Sequence, residues 1–156
     1  MDKSQHDKLA SILESDAKYI NKKVDLKEIS GKHIIITGAS GLIGINLLAS
    51  LKEFSKTHSK ELPKITAIFR DNVPNYLKPI FSFKNLKIKN GDVTEKKFVD
   101  SLEKADYIIH AAGYGQPGRF MQDKIKTFKI NTEATISLLQ KLKPKGKFIF
   151  ISTSEI

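Results

Sequence analysis

Residues 37–44 read Thr37-Gly38-Ala39-Ser40-Gly41-Leu42-Ile43-Gly44. Three glycines at this spacing, G-x-x-G-x-x-G, acquire meaning from what flanks them. The β-branched run His33–Thr37 comes before and predicts a buried strand. The apolar segment Leu42–Phe54 comes after and predicts a helix. A strand, a glycine turn and a helix in that order are the context in which such a triplet cradles a pyrophosphate rather than merely turning the chain. One glycine permits the tight turn, one lets backbone approach the phosphates, and one allows close contact between helix and strand. The helix starting near Gly41 then aims its free N–H groups and the positive end of its dipole at the anion.

Working outward, residues 1–30 predict an opening helical segment. Leu9, Ile12, Leu13, Ala17 and Ile20 form its apolar stripe, and Ser30-Gly31 interrupts it. Ile65–Phe69 reads as a second strand, and 71–83, with Pro74 and Pro79, as a loop with room for a short helix. Leu86–Lys89 is a third strand with in/out alternation, and Thr94–Leu102 a helix with Thr94 as its N-cap. A fourth strand, Asp106–His110, runs into Ala111-Ala112-Gly113, and the loop Tyr114–Phe120 holds the breakers Gly115, Pro117 and Gly118. Gln122–Leu142 predicts one long helix whose face is Ile125, Phe128, Thr132, Thr135, Ile136, Leu139 and Leu142. Pro144 and Gly146 stop it, and Lys147–Ser152 is a fifth strand. Strands alternating with helices define an α/β fold on a parallel sheet.

Composition narrows the function classes. The 156 residues suit one domain, and the absence of cysteine excludes a disulfide scaffold, a cysteine-ligated zinc site and a thiol nucleophile. Lys+Arg number 27 against 17 Asp+Glu, a net charge of +10. The lysines are spread along the chain, and only Arg70 and Arg119 could make bidentate contacts, so a solvated surface is favoured over nucleic-acid binding. The polar first twenty residues and the short apolar runs lead us to expect a soluble cytoplasmic protein with no membrane partner.

Ligands of open parallel sheets bind outside the carboxyl ends of the strands. Asp92, His110–Gly113 and Ser152–Glu155 all follow predicted strands and would converge there. At the end of the second strand stand Arg70 and Asp71: an acidic residue suits a ribose 2′-hydroxyl, an arginine a 2′-phosphate. These two residues leave NAD and NADP both open. His110, closing an apolar strand, reads as a satisfied core histidine rather than an acid or base.

Four stretches in order resemble the extended short-chain dehydrogenases/reductases, the NAD-dependent epimerase/dehydratase group acting on nucleotide sugars. They are T-G-A-S-G-L-I-G at 37–44, Gly91-Asp92-Val93, His110-Ala111-Ala112-Gly113, and Phe150-Ile151-Ser152-Thr153-Ser154-Glu155-Ile156. The likeness runs from about Gly31 to the last residue. It implies a Rossmann-like doubly wound parallel sheet over 31–156, incomplete at the C-terminus, with 1–30 as a helical extension. It also implies cofactor contacts from Gly38, Ser40, Gly41, Leu42, Ile43, Gly44, Arg70 and Asp71. Asp92 and Val93 would meet the adenine, while Ala111, Ala112, Gly113, Asn131 and Ser152 complete the cofactor set. The resemblance to the nucleotide-sugar branch favours NAD as the cofactor, with NADP left open, and no metal is implied.

The tail resembles the S-T-S-E-V of UDP-glucuronate decarboxylases. It is also similar to the S-T-D-E-V of dTDP-glucose 4,6-dehydratases, with Ser154 where that group keeps its aspartate. By this resemblance Thr153 and Glu155 are catalytic: Thr153 hydrogen-bonds the sugar C4 oxygen, and Glu155 acts as base or orients the sugar. Tyr114, Gln116, Thr153 and Ser154 would touch a UDP- or dTDP-linked sugar. The family's Y-x-x-x-K follows this strand, and no tyrosine comes after Tyr114. The expectation is the cofactor-binding part of a larger, homodimeric enzyme, without turnover by itself. The expected reaction is decarboxylation, with 4-epimerisation or 4,6-dehydration as the alternatives. A non-catalytic dinucleotide-binding module is the reading of another class.

Overall fold

In the computed structural model, which describes residues 3–58, 61–78, 80–114 and 117–152, five parallel strands form one sheet. They are β1 (His33–Thr37), β2 (Lys64–Phe69), β3 (Leu86–Asn90), β4 (Ala105–His110) and β5 (Leu142–Phe150), in the order β3-β2-β1-β4-β5. Every residue of β1 is buried, as a β-branched run covered on both faces requires. Its register pairs Ile34 with Ile65 on one side and with Tyr107 on the other. The chain leaves β1 toward β2 on one side and later returns to β4 on the other. The β1/β4 boundary is therefore the switch point at which a Rossmann-like sheet opens a crevice.

Alternation along β1 splits the core in two. Ile34 and Ile36 join Leu48, Leu51, Phe69 and Leu77 on the face covered by α2 (Leu42–Thr57). Ile35 joins Val99, Ile108, Ala134 and Leu138 on the other face, against α3 (Lys96–Asp100) and the helices that precede β5. The first helix, α1 (Lys3–Lys23), packs on α2 through buried Leu13 and Ala17, and Asn21 Nδ2 donates to the Ser50 carbonyl at 3.0 Å. Ile12 of the predicted stripe is exposed, and only a short turn at Lys27–Ile29 follows the helix.

Several expectations need correction. The expected long helix Gln122–Leu142 is split into α5 (Lys124–Asn131) and α6 (Glu133–Leu139); Gln122 instead ends α4 (Pro117–Gln122), a helix in part of the expected loop, and Leu142 opens β5. Asp123 breaks it first, its carboxylate accepting from the Lys126 amide at 3.0 Å as an N-cap. The chain breaks again at Thr132, whose φ of −117° and ψ of −74° depart from the helix while its side chain caps nothing. The buried face is Ala134 and Leu138 with half-buried Ile130, while Ile125, Phe128, Ile136 and Leu139 are exposed. Two apolar stripes compete on this segment, and the one with the larger side chains points outward.

Pro144 and Gly146 lie inside β5 rather than before it. Their stretch is looped out between the pairs Ala105–Leu142 and Tyr107–Lys147, with Lys145 at a φ of 64°. Strand β3 does not alternate cleanly, because Ile88 on this edge strand is exposed. Thr94 caps no helix, since α3 starts after Glu95 without a side-chain cap.

Candidate functional site

A cleft of about 410 Å³ opens at the carboxyl ends of the strands, at the β1/β4 switch point. Its floor is the glycine turn after β1, and its walls are the segments that follow β2, β3 and β4, with α5 closing one side. Gly38, Ser40 and Gly41 line it, as do Arg70, Asp71, Asp92 and Val93. So do Ala111, Ala112, Gly113 and Tyr114.

The glycines divide the work. Gly38 sits at φ 65°, and a β-carbon there would lie 2.3 Å from the Ala111 carbonyl oxygen, backbone against backbone. A β-carbon on Gly44 would lie 2.5 Å from the Gly38 carbonyl oxygen, so this glycine serves helix–turn packing rather than ligand contact. Helix α2 begins behind Gly41 with no capping side chain, which leaves its first-turn N–H groups for an anion. The Leu42 and Ile43 side chains do not line the cleft. They face an apolar groove on the other side of the helix, together with Ile109 and Ile149, so only their backbone can serve a cofactor.

His110 holds two of these segments together. It is fully buried, with Nε2 2.9 Å from the Ile130 carbonyl and Nδ1 2.7 Å from Thr37 Oγ1. A carbonyl can only accept, so Nε2 carries the proton and Nδ1 accepts from the threonine hydroxyl. Thr37 Oγ1 in turn accepts the Ala112 amide at 3.2 Å. The imidazole thus fixes the Ala111–Gly113 turn, and burial holds its pKa below the ordinary value.

His33 is the second buried imidazole. Its Nδ1 donates to the Lys104 carbonyl, its Nε2 accepts from the Thr66 hydroxyl, and burial likewise lowers its pKa. A base whose pKa is depressed by folding binds more protons when unfolded, so stability rises with pH across that interval. Their contribution should be complete above the ordinary value of 6.5 and fall progressively below it. Urea midpoints measured from pH 7.5 down to 5.0 check this, and midpoints rising toward acid would contradict it.

The acidic and basic groups of the cleft are paired. Asp71 Oδ2 accepts from Arg70 Nε at 3.3 Å. Asp92 Oδ1 accepts from the Thr94 amide at 2.9 Å and from its hydroxyl at 2.7 Å, and Asp92 Oδ2 lies 2.8 Å from Lys126 Nζ. Burial alone would raise the Asp92 carboxyl, but the bonds from Lys126 and Thr94 outweigh it and lower the pKa. Lys126 was not legible as a site residue, because it comes from a helix far along the chain.

Two expected cofactor residues lie elsewhere. Asn131 is exposed at the end of α5, where Ile130 lines the cleft instead. Ser152 is exposed beyond β5 and does not line the cleft. Gln116, Thr153, Ser154 and Glu155 fall outside the described residues. A Tyr-x-x-x-Lys spacing does occur at Tyr19–Lys23, but on α1, and neither residue lines the cleft. Among the described residues no cluster of His, Asp or Glu is placed to hold a metal, and no helix is long and apolar enough to cross a membrane.

The site defines a class, a parallel-sheet nucleotide binder with a glycine cradle at its switch point. Residues 34–156 match the family model described as the NAD dependent epimerase/dehydratase family, and the chain belongs to that family. It is 30% identical over 135 residues to UDP-glucuronic acid decarboxylase 1 of Danio rerio, covering 84% of this chain and 29% of that one. It is 24% identical over 132 residues to a dTDP-glucose 4,6-dehydratase of Streptomyces antibioticus, covering 80% and 38%. The Bordetella bronchiseptica enzyme WbmF, solved with NAD+, shares the fold at a TM-score of 0.57 and 18% identity, covering 83% of this chain and 41% of that one. The chain thus spans well under half the length of these relatives. The residues present fit NAD, the family's cofactor: a cradle that a single β-carbon would fill, uncapped N–H groups, and the carboxylates of Asp71 and Asp92 on the cleft walls.

Proposed function

We propose that this chain forms the NAD-binding part of a nucleotide-sugar enzyme, most closely of the UDP-glucuronate decarboxylase type. The observation that carries the reading is Gly38 pressed against the Ala111 carbonyl at the switch point, above the uncapped start of α2. In this reading the first-turn N–H groups of α2 hold the diphosphate. Asp71 accepts from a ribose hydroxyl, and Asp92 accepts from the adenine amino group. When bound, NAD supplies a nicotinamide that takes a hydride from a sugar carbinol and returns it.

Thr153 would donate to or accept from the sugar C4 oxygen as it becomes a ketone, and Glu155 would take the proton or orient the ring. A C4 ketone lies β to the C6 carboxylate of a uronic acid, so the C5–C6 bond can break to free carbon dioxide while its electron pair stays on the sugar as an enolate on the C4 oxygen, to be protonated at C5. Ser154 in the place of an aspartate lacks the general acid that dehydration requires, which favours decarboxylation. The likeness to a dTDP-glucose 4,6-dehydratase supports the second reading, 4,6-dehydration. The exposed stripe Met121, Ile125, Phe128, Ile136 and Leu139 along α4 to α6 supports a homodimer built on these helices.

The complete gene product carrying this chain, given NAD and UDP-glucuronate, should release carbon dioxide and a UDP-pentose. A 4-keto-6-deoxy product from dTDP-glucose, without decarboxylation, would replace this reading with the second one.

A further inference from the structure

Lys126 enters the cleft from α5, yet the reading above gives it no task. It is held at both ends: its backbone amide donates to Asp123 Oδ1 at the helix start, and its ammonium lies 2.8 Å from Asp92 Oδ2. The pair is partly withdrawn from water, at 35% side-chain exposure for Lys126 and 17% for Asp92. It ties α5 to the loop after β3, two different walls of the cleft. Since Thr94 claims Oδ1 twice, Oδ2 is the carboxylate oxygen with capacity to spare, and Lys126 stands on it. Arg70 and Tyr114 are the other titratable groups facing this ammonium, and Arg70 disfavours any move toward β2.

We propose that Lys126 is an internal competitor that occupies the Asp92 oxygen an adenine amino group would use, and so sets how tightly the cleft holds adenine. The proposal rests on the NAD reading of the cleft. Binding exchanges an ammonium–carboxylate pair for an amino–carboxylate hydrogen bond, and the freed ammonium turns out to solvent.

The test uses the 156-residue chain and adenosine, a neutral probe on which long-range attraction by lysine has no hold. Lys126→Met should tighten adenosine by up to about fivefold, the range of a partly exposed ion pair. Lys126→Arg keeps the pair and should bind as wild type. Raising salt should tighten adenosine binding to wild type toward the Met variant and leave the variant unchanged, because screening loosens the pair. Nicotinamide mononucleotide, which lacks adenine, should gain nothing from Lys126→Met. If wild type binds adenosine and Lys126→Met binds it equally or more weakly, the competition is overturned while the cleft reading stands. If folded wild type binds neither NAD nor adenosine, the cleft reading itself falls, and the competition with it.

Discussion

Gly38→Ala should abolish NAD binding and cost about 2–5 kcal/mol of stability, the sum of left-handed backbone strain and overpacking. At φ 65° the new β-carbon would lie 2.3, 2.5 and 2.6 Å from the Ala111 oxygen, the Ala111 carbon and the Ala112 nitrogen. All three are backbone atoms, so no rotamer change relieves the clash. The turn after β4 must move away from the turn after β1, which separates one wall of the cleft from its floor. Gly31→Ala is the internal control. Its φ is 67°, yet nothing lies within 4 Å of a β-carbon there, so it should cost only the conformational part, about 1–2 kcal/mol. Urea denaturation separates the two, and equal losses in both variants would mean that the close approach at Gly38 carries no weight.

His110→Ala should cost roughly 3–5 kcal/mol, because it empties a fully buried site and strands two polar groups. The Thr37 hydroxyl loses its acceptor and the Ile130 carbonyl its donor. The consequence for binding follows from the chain of contacts, since Thr37 also holds the Ala112 amide in the turn that lines the cleft. The same variant should flatten the acid side of the stability profile, because one of the two buried imidazoles that resist protonation is gone. A profile as steep as wild type below pH 6.5 would assign the whole effect to His33.

How much of this was legible in the sequence varies with the range of the interactions involved. Strand β1 and its glycine turn were, because five buried residues and three glycines carry their requirements locally. The breaks at Asp123 and Thr132 were not, since the first depends on a carboxylate turning back to the Lys126 amide and the second on a backbone kink, and neither leaves a mark on the apolar periodicity. The outward face of α5 and α6 was misjudged for a related reason. Phe128 and Ile136 outweigh Ala134 in hydrophobicity, but the small residue is what lets α6 approach the sheet. The place of Asp92 after a strand, at the cleft, was legible and its ion-pair partner was not. Lys126 meets it across 34 positions of chain, a pairing that neither spacing nor propensity encodes.

The central claim, that the cleft at the β1/β4 switch point binds NAD, is tested most directly by calorimetric titration of NAD into the 156-residue chain, with its melting temperature followed in parallel. The account predicts one site per chain, weakened by Asp92→Asn and lost in Gly38→Ala. It also predicts stabilisation by ~2.7 kcal/mol when NAD is a hundredfold above its dissociation constant. A folded chain that gives neither binding heat nor a rise in melting temperature at millimolar NAD would contradict it.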